Sequence, residues 1–174
     1  MGVDISSAAI QSYLANHDEA RGIVGSITDP AIRQQILVYR GRAKAVVGGP
    51  PCQGFSRANM HVSDEDERRS LPLKFIELSA ELWPDFIVIE EVPAAKVHAP
   101  SWVAALRERG YAAVYGVLNA EDYRVPQKRR RMFIVARRGD QAPQQFPPTP
   151  THTLPVRGRE ALGWTTRGRE VTGG

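Results

Sequence analysis

Apolar and polar positions along the first 137 residues switch repeatedly between a short extended rhythm and a helical one. Residues 2–5 read as a short strand; Ser6 or Ser7 then caps a helix whose apolar stripe is Ile10, Tyr13 and Leu14. A second short strand at 22–24 precedes a helix opened by Asp29, with Pro30 in its first position and Ile32, Ile36 and Tyr39 on one face. Residues 43–47 form a continuous run of small apolar side chains, the kind buried in a parallel sheet, which stops at Gly48, Gly49, Pro50 and Pro51. Residues 73–82 have helical spacing through Phe75, Ile76, Ser79 and Leu82, and Trp83 and Pro84 end that helix before a strand at 86–89. A helix at 101–109 stops at Gly110, and strands at 112–118 and 132–136 follow. This repetition predicts an α/β sheet with helices on both faces, its last two strands paired antiparallel. From Arg138 onward the pattern gives way to Gln, Pro, Thr, Gly and Arg, which reads as a linker. The expected division is therefore 1–137 as the folded domain and 138–174 as linker and the start of a further, truncated region.

Composition narrows the picture modestly. At 174 residues, with 42% hydrophobic and 24% charged residues, the chain suits one folded domain rather than two. The net charge of +4 favours an anionic partner. A lone cysteine rules out an internal disulfide and points to a reducing cytoplasm. No basic-then-apolar leader opens the sequence and no apolar run approaches the roughly 20 residues needed to cross a bilayer, so secretion and membrane insertion are disfavoured.

Three clusters carry candidate chemistry. Cys52 lies in Gly48-Gly49-Pro50-Pro51-Cys52-Gln53-Gly54-Phe55-Ser56, directly after a buried strand, and ligands of open α/β sheets gather at the carboxyl ends of strands. Glycines there permit close backbone approach, and a turn rich in free N–H groups favours thiolate over thiol. The plain alternative is a small buried hydrophobe in a tight turn. Glu90 and Glu91 end the strand at 86–89, and so share the carboxyl edge with Cys52 if the two strands are parallel. Attack by a thiolate on a pyrimidine needs ring nitrogen 3 protonated or hydrogen-bonded, a task for a carboxylic acid such as Glu90. The third cluster is Pro126-Gln127-Lys128-Arg129-Arg130-Arg131. In an extended segment, Gln127, Arg129 and Arg131 share one side while Lys128 and Arg130 share the other, so one face can enter a site and the other meet backbone phosphates.

In these strings, and in their order over residues 2–137, the chain resembles the cytosine-5 DNA methyltransferase family. The string PCQGFS is highly specific to it, Glu90 matches its Glu-Asn-Val motif, and Gln127, Arg129 and Arg131 match its Gln-x-Arg-x-Arg motif. The resemblance implies a Rossmann-like S-adenosylmethionine-dependent methyltransferase fold acting on cytosine in DNA. It assigns Cys52 as nucleophile at carbon 6, Glu90 to nitrogen 3 and the exocyclic amine, and Arg131 with Arg129 to the base carbonyl or a nearby phosphate. Since a stacked base is out of reach, the target is expected to be flipped out. Gln53, Ser56, Gln127, Lys128 and Arg130 are implied nucleic-acid contacts. For the cofactor, Asp4 matches the acid that accepts from the ribose hydroxyls, Ile5 and Ile27 flank the adenine, and Pro51 and Leu71 line the pocket; for Ile5, Ile27 and Leu71 a plain core role competes. No residue is implied as a metal ligand.

The sequence also departs from that family. Ser26 stands where an aspartate usually receives the adenine amine, and Glu91 replaces the usual asparagine. The glycine-rich loop that normally precedes the Asp4 segment would lie before Met1, and the passage at 147–152 resembles the approach to a target-recognition region. The resulting expectation is a catalytic domain truncated at both ends, working with a second polypeptide that supplies the cofactor loop and the recognition region. Two alternatives share the family: a tRNA-acting branch, and a catalytically inactive nucleic-acid-binding or regulatory fragment. A third, an unrelated thiol enzyme, requires a histidine base beside Cys52, a placement that the spacing of His17, His61, His98 and His152 does not establish.

Overall fold

A computed structural model of the chain describes residues 1–51, 67–151, 156 and 158–161. Cys52, Gln53, Ser56, His61 and His152 lie outside the described residues. Strand β1 (Gly2–Asp4) leads into helix α1 (Ser7–Asn16), with the Ser6 hydroxyl accepting from the Ala9 amide to satisfy one of the helix's free donors. Strand β2 (Gly22–Val24) precedes α2 (Pro30–Leu37), capped by the Asp29 carboxylate on the Ala31 amide at 2.8 Å, with Pro30 needing no N–H partner at this end. Strand β3 (Ala45–Gly48), helix α3 (Glu67–Glu81), strand β4 (Phe86–Glu91), a 3-10 turn at Pro93–His98, helix α4 (Ala99–Arg107), strand β5 (Tyr111–Asn119), a second 3-10 turn at Ala120–Tyr123, strand β6 (Arg130–Arg138) and a four-residue helix α5 (Gly158–Ala161) complete the described elements. Among the described residues no helix is long and apolar enough to cross a membrane.

The strands form two hydrogen-bonded sheets. β1 and β2 pair in parallel; the other sheet has the order β3-β4-β6-β5, with β3 parallel to β4 and β6 inserted antiparallel to both neighbours. An apolar cluster holds the two sheets together where no ladder does: Ile36, Leu78 and Leu82 pack with Val3, Ile23 and Val46, so α2 and α3 cover strands of both sheets. α1 lies on the other face of the small sheet, since side chains at Gly2 and Gly22 would run into Tyr13 and Ile10. The main core joins α3, α4 and one face of the larger sheet through Ile76, Trp102, Leu106, Ile87, Ile89, Met132 and Ile134. Alternation along β3 and β4 sends Val47 and Phe86 to the opposite face, where both are exposed.

Two elements differ in extent from the sequence pattern. α3 begins at Glu67 and runs through Pro72, whereas the helical spacing in the sequence begins at residue 73. Proline inside a helix removes a hydrogen bond and crowds the preceding turn, but Pro72 is fully buried, and its apolar ring contributes packing against that cost. β6 extends to Arg130 and Arg138, beyond its apolar centre, because nine consecutive pairings with β5 carry the charged ends into the ladder. The chain after Arg138 returns over β5: Phe146 and Pro147 lie against Gly116, and the Tyr123 hydroxyl donates to the Pro148 carbonyl at 2.8 Å. Among the described residues, three that are not glycine, Glu19, Trp83 and Arg124, occupy the left-handed backbone region, at a cost of about 1–2 kcal/mol each.

The end of the sheet where β4 begins is held by a compact polar network. Arg138 donates to Asp85 and to the Trp83 carbonyl and lies over the Trp83 ring, while Trp83 meets Tyr111 edge-on. The buried Tyr111 hydroxyl donates to the Pro84 carbonyl at 2.9 Å. Burial pushes its pKa above the ordinary 10.0; Arg138 opposes that rise and Asp85 adds to it. Tyr111→Phe removes one buried hydrogen bond and should cost about 1–2 kcal/mol, read from the urea midpoint. The folded state holds this proton to higher pH than the unfolded chain does. The hydroxyl's contribution is therefore intact below the unfolded value of about 10 and is lost as pH rises through the folded value. This component of alkaline destabilisation should be missing from Tyr111→Phe in the same titration.

Candidate active site

The carboxyl ends of β3, β4 and β5 and the start of β6 lie at one edge of the larger sheet. The parallel register sets Gly48 opposite Ile89, so Gly49 and Glu90 continue side by side beyond it. Glu90 is opposite Phe133, on the face turned away from α3 and α4; Arg131 is its diagonal neighbour on that face. The Arg131 Nε donates to Glu90 Oε1 at 2.7 Å, and Arg129 Nη2 approaches the same oxygen at 3.8 Å. Arg131 Nη1 also donates to the Arg130 carbonyl at 2.8 Å, which fixes the plane of the guanidinium. All three side chains are partly open to solvent, so the pairing orients more than it stabilises.

Gly49 explains how the carboxylate fits. A β-carbon there would stand 3.1 Å from Glu90 Oε2, tighter than most packing contacts, and 3.4 Å from the Glu90 carbonyl oxygen, so the carboxylate would have to give way slightly. Sequence reasoning assigned the glycines before Cys52 a general permissiveness; the structure gives each a particular neighbour, Glu90 for Gly49 and the Phe75 ring of α3 for Gly48. Glu91, one residue on, points to the opposite face and is buried, with its Oε2 accepting from the Val92 amide at 3.2 Å. The adjacent acids thus face different surroundings, and Glu90 alone of the two faces the arginines.

The cation run divides in the same way. Arg129 and Arg131 converge on Glu90, whereas Lys128 and Arg130 are exposed and make no ion pair among the described residues. Gln127 is exposed in the turn before β6, its amide donating to the Val125 carbonyl at 2.7 Å.

The residues matched to a cofactor lie along several elements. Asp4 ends β1, exposed, with Oδ1 accepting from the Ser6 amide at 2.7 Å, which orients the carboxylate. Ile5 beside it is 75% exposed, a large apolar side chain without a protein partner to cover it. Ile27 packs against the second core cluster, Leu71 is half-buried in α3, and Pro51 is exposed at the end of the described turn. The Ser26 hydroxyl lies 2.8 Å from that of Thr28 and accepts from the Thr28 amide, closing its own loop. Among the described residues no group of three or more His, Cys, Asp or Glu side chains could hold a metal ion.

The profile of the family described as C-5 cytosine-specific DNA methylase matches residues 1–162. Type II methyltransferase M.AgeI from Thalassovita gelatinovora is 35% identical over 157 residues, covering 86% of this chain and 36% of the relative. Type II methyltransferase M.AquIA from Picosynechococcus sp. is 37% identical over 144 residues, covering 75% of this chain and 57% of the relative. The chain therefore spans from about a third to somewhat over half the length of these curated relatives. An E. coli prophage protein described as a DNA modification methyltransferase superposes with a TM-score of 0.71 at 24% identity, covering 92% of this chain and 46% of that one, which establishes the shared fold. With a family match across nearly the whole sequence and a methyltransferase fold beneath it, the chain belongs to the C-5 cytosine-specific DNA methylase family.

Proposed function

We propose that this chain forms the catalytic portion of an enzyme that methylates carbon 5 of cytosine in DNA, using Cys52 as nucleophile and S-adenosylmethionine as donor. The observation that carries the proposal is the Glu90 carboxylate, clasped by Arg131 and Arg129 and lying against Gly49, three residues before Cys52 in the chain. The family description and the Type II relatives support DNA as substrate.

In this reading the Cys52 thiolate adds to carbon 6 of a flipped cytosine, and the electron pair of the 5,6 double bond passes into the ring. Glu90 in its acid form donates to nitrogen 3 as that charge develops, which is where general acid assistance is worth about 10²–10⁴ in rate. Arg131 and Arg129, already beside the carboxylate, turn guanidinium N–H groups toward the base carbonyl or a flanking phosphate. A water or hydroxide base removes the carbon 5 proton from the methylated adduct, the freed electron pair re-forms the 5,6 double bond and expels the thiolate, and nitrogen 3 returns its proton to Glu90, leaving both Cys52 and Glu90 unchanged. Gln53, Ser56, Gln127, Lys128 and Arg130 are proposed to hold the nucleic acid around this centre.

The residues at the end of β1 fit the cofactor. The exposed Asp4 carboxylate offers acceptor capacity for two ribose hydroxyls, and Ile5 offers an exposed apolar surface for a flat heterocycle. Ile27, Pro51 and Leu71 complete the proposed pocket. When bound, S-adenosylmethionine supplies an electrophilic methyl group to the nucleophilic carbon 5. Ser26, whose hydroxyl is engaged with Thr28, offers the adenine amine less than a carboxylate would. A second polypeptide is proposed to complete the enzyme, consistent with relatives that are much longer than the matched span.

The test is DNA carrying 5-fluorocytosine with S-adenosylmethionine, with and without a polypeptide representing the remainder of a relative. Fluorine cannot leave as a proton does, so a covalent protein–DNA complex should accumulate. Cys52→Ala should abolish it; an adduct that survives this change, or none under either condition, would sink the proposal. Glu90→Gln should slow trapping by about 10²–10⁴-fold with DNA affinity little changed. Asp4→Ala, which removes a charge-assisted acceptor, should raise the calorimetric Kd for S-adenosylmethionine by about tenfold or more.

A further inference from the structure

We propose that Arg124 is a phosphodiester-binding residue, which together with Lys128 and Arg130 forms a cationic rim beside the Glu90 site; the inference rests on the DNA-methylating function proposed above.

Arg124 follows the 3-10 turn Ala120–Tyr123 with φ 65 and ψ 12, a conformation in which glycine is at ease and a residue with a β-carbon is strained. Its amide closes the turn by donating to the Ala120 carbonyl, a service any residue except proline supplies. The side chain is what the position gains from arginine, and in the folded protein that side chain does nothing visible. It is exposed, with no ion pair or side-chain hydrogen bond among the described residues. The nearby acids do not engage it: Glu121 and Asp122 accept from the Asn119 amide group at 3.3 and 3.4 Å.

Trp83 provides the contrast. It is also left-handed, but its ring lies under Arg138 and against Tyr111, so packing accounts for its presence. Arg124 has no such compensation, and strain that the fold does not use is the kind that marks a functional position.

Location supplies the ligand chemistry. The Ala120 amide donates to the Arg129 carbonyl and the Val125 amide to the Ala120 carbonyl, which ties Arg124 into the same loop as Lys128 and Arg130, at the edge that carries Glu90. Arg129 and Arg131 share the single Glu90 carboxylate as partner, whereas Arg124, Lys128 and Arg130 remain exposed without ion-pair partners among the described residues. Three such cations, two in the loop and one at the start of β6, suit a polyanion, whose binding releases counterions and falls steeply with salt.

Arg124→Gly separates the two roles of the position, because it relieves the backbone while deleting the charge. With the full chain and a DNA duplex of about 25 base pairs, fluorescence anisotropy over a salt series should show Kd weakened about 3–10-fold at low salt. The slope of log affinity against log salt should fall by about 0.9. The thermal midpoint should equal or exceed the parent's, which excludes unfolding as the cause. Arg124→Lys should keep the slope, and Arg124→Gln should lose it. If Lys128→Gln lowers the slope while Arg124→Gly leaves it unchanged, the assignment of Arg124 is overturned and the proposed function stands. If the parent chain shows no salt-dependent binding either alone or with the complementing polypeptide, both are overturned.

Discussion

The parallel register of β3 with β4 is the constraint on which the site depends. Setting Gly48 against Ile89 brings the turn that runs toward Cys52 alongside the last residues of β4, and the missing side chain at Gly49 leaves room for the Glu90 carboxylate. Because side chains alternate along a strand, a slip of one residue would turn Glu91 toward the arginines and bury Glu90. Apolar packing guards that register. Ile87 and Ile89 are fully buried against α3 and α4, and Met132, Ile134 and Ala136 of β6 lie opposite Glu91, Ile89 and Ile87 in the same core. The chemistry on one face is thus indexed by the hydrophobic packing on the other.

Much of this arrangement was legible in the sequence. The Asp29-Pro30 helix start, the short strand Gly22–Val24 and the antiparallel pairing of the last two strands follow from capping, periodicity and turn chemistry, all local effects. The family motifs were legible because fixed residue types at fixed spacing survive where overall identity falls. What escaped was non-local. The helical spacing starts at residue 73, after Pro72, while the burial that lets the helix pass through that proline belongs to the tertiary core. The division into two sheets also escaped, since periodicity identifies strands without saying which edges pair.

The candidate site shows the same boundary. Period two was enough to separate Arg129 and Arg131 from Lys128 and Arg130, but not to find Glu90 as the counterion of the inner pair. Gly49 and Arg124 were missed for opposite reasons: the first depends on an atom contributed by another strand, the second on a backbone angle that a sequence does not display. Cys52, Gln53 and Ser56, which the motif identifies most strongly, lie outside the described residues, so their assignment rests on the family and on the neighbouring Gly49 and Glu90.

The division of the cations has an energetic logic. Four consecutive like charges at the start of a strand repel one another, and an antiparallel ladder that begins at Arg130 must hold them at close spacing. Glu90 offsets the inward pair and so supports the pairing of β6 with β4 before any substrate arrives. The outward charges have no such partner among the described residues, and their repulsion persists until a polyanion approaches. Binding of nucleic acid would then neutralise the rim while the inner arginines exchange some of their contact with Glu90 for the base. A single run of basic residues can in this way couple capture of the backbone to preparation of the carboxylate, because the pleat of one strand places its two tasks on opposite faces.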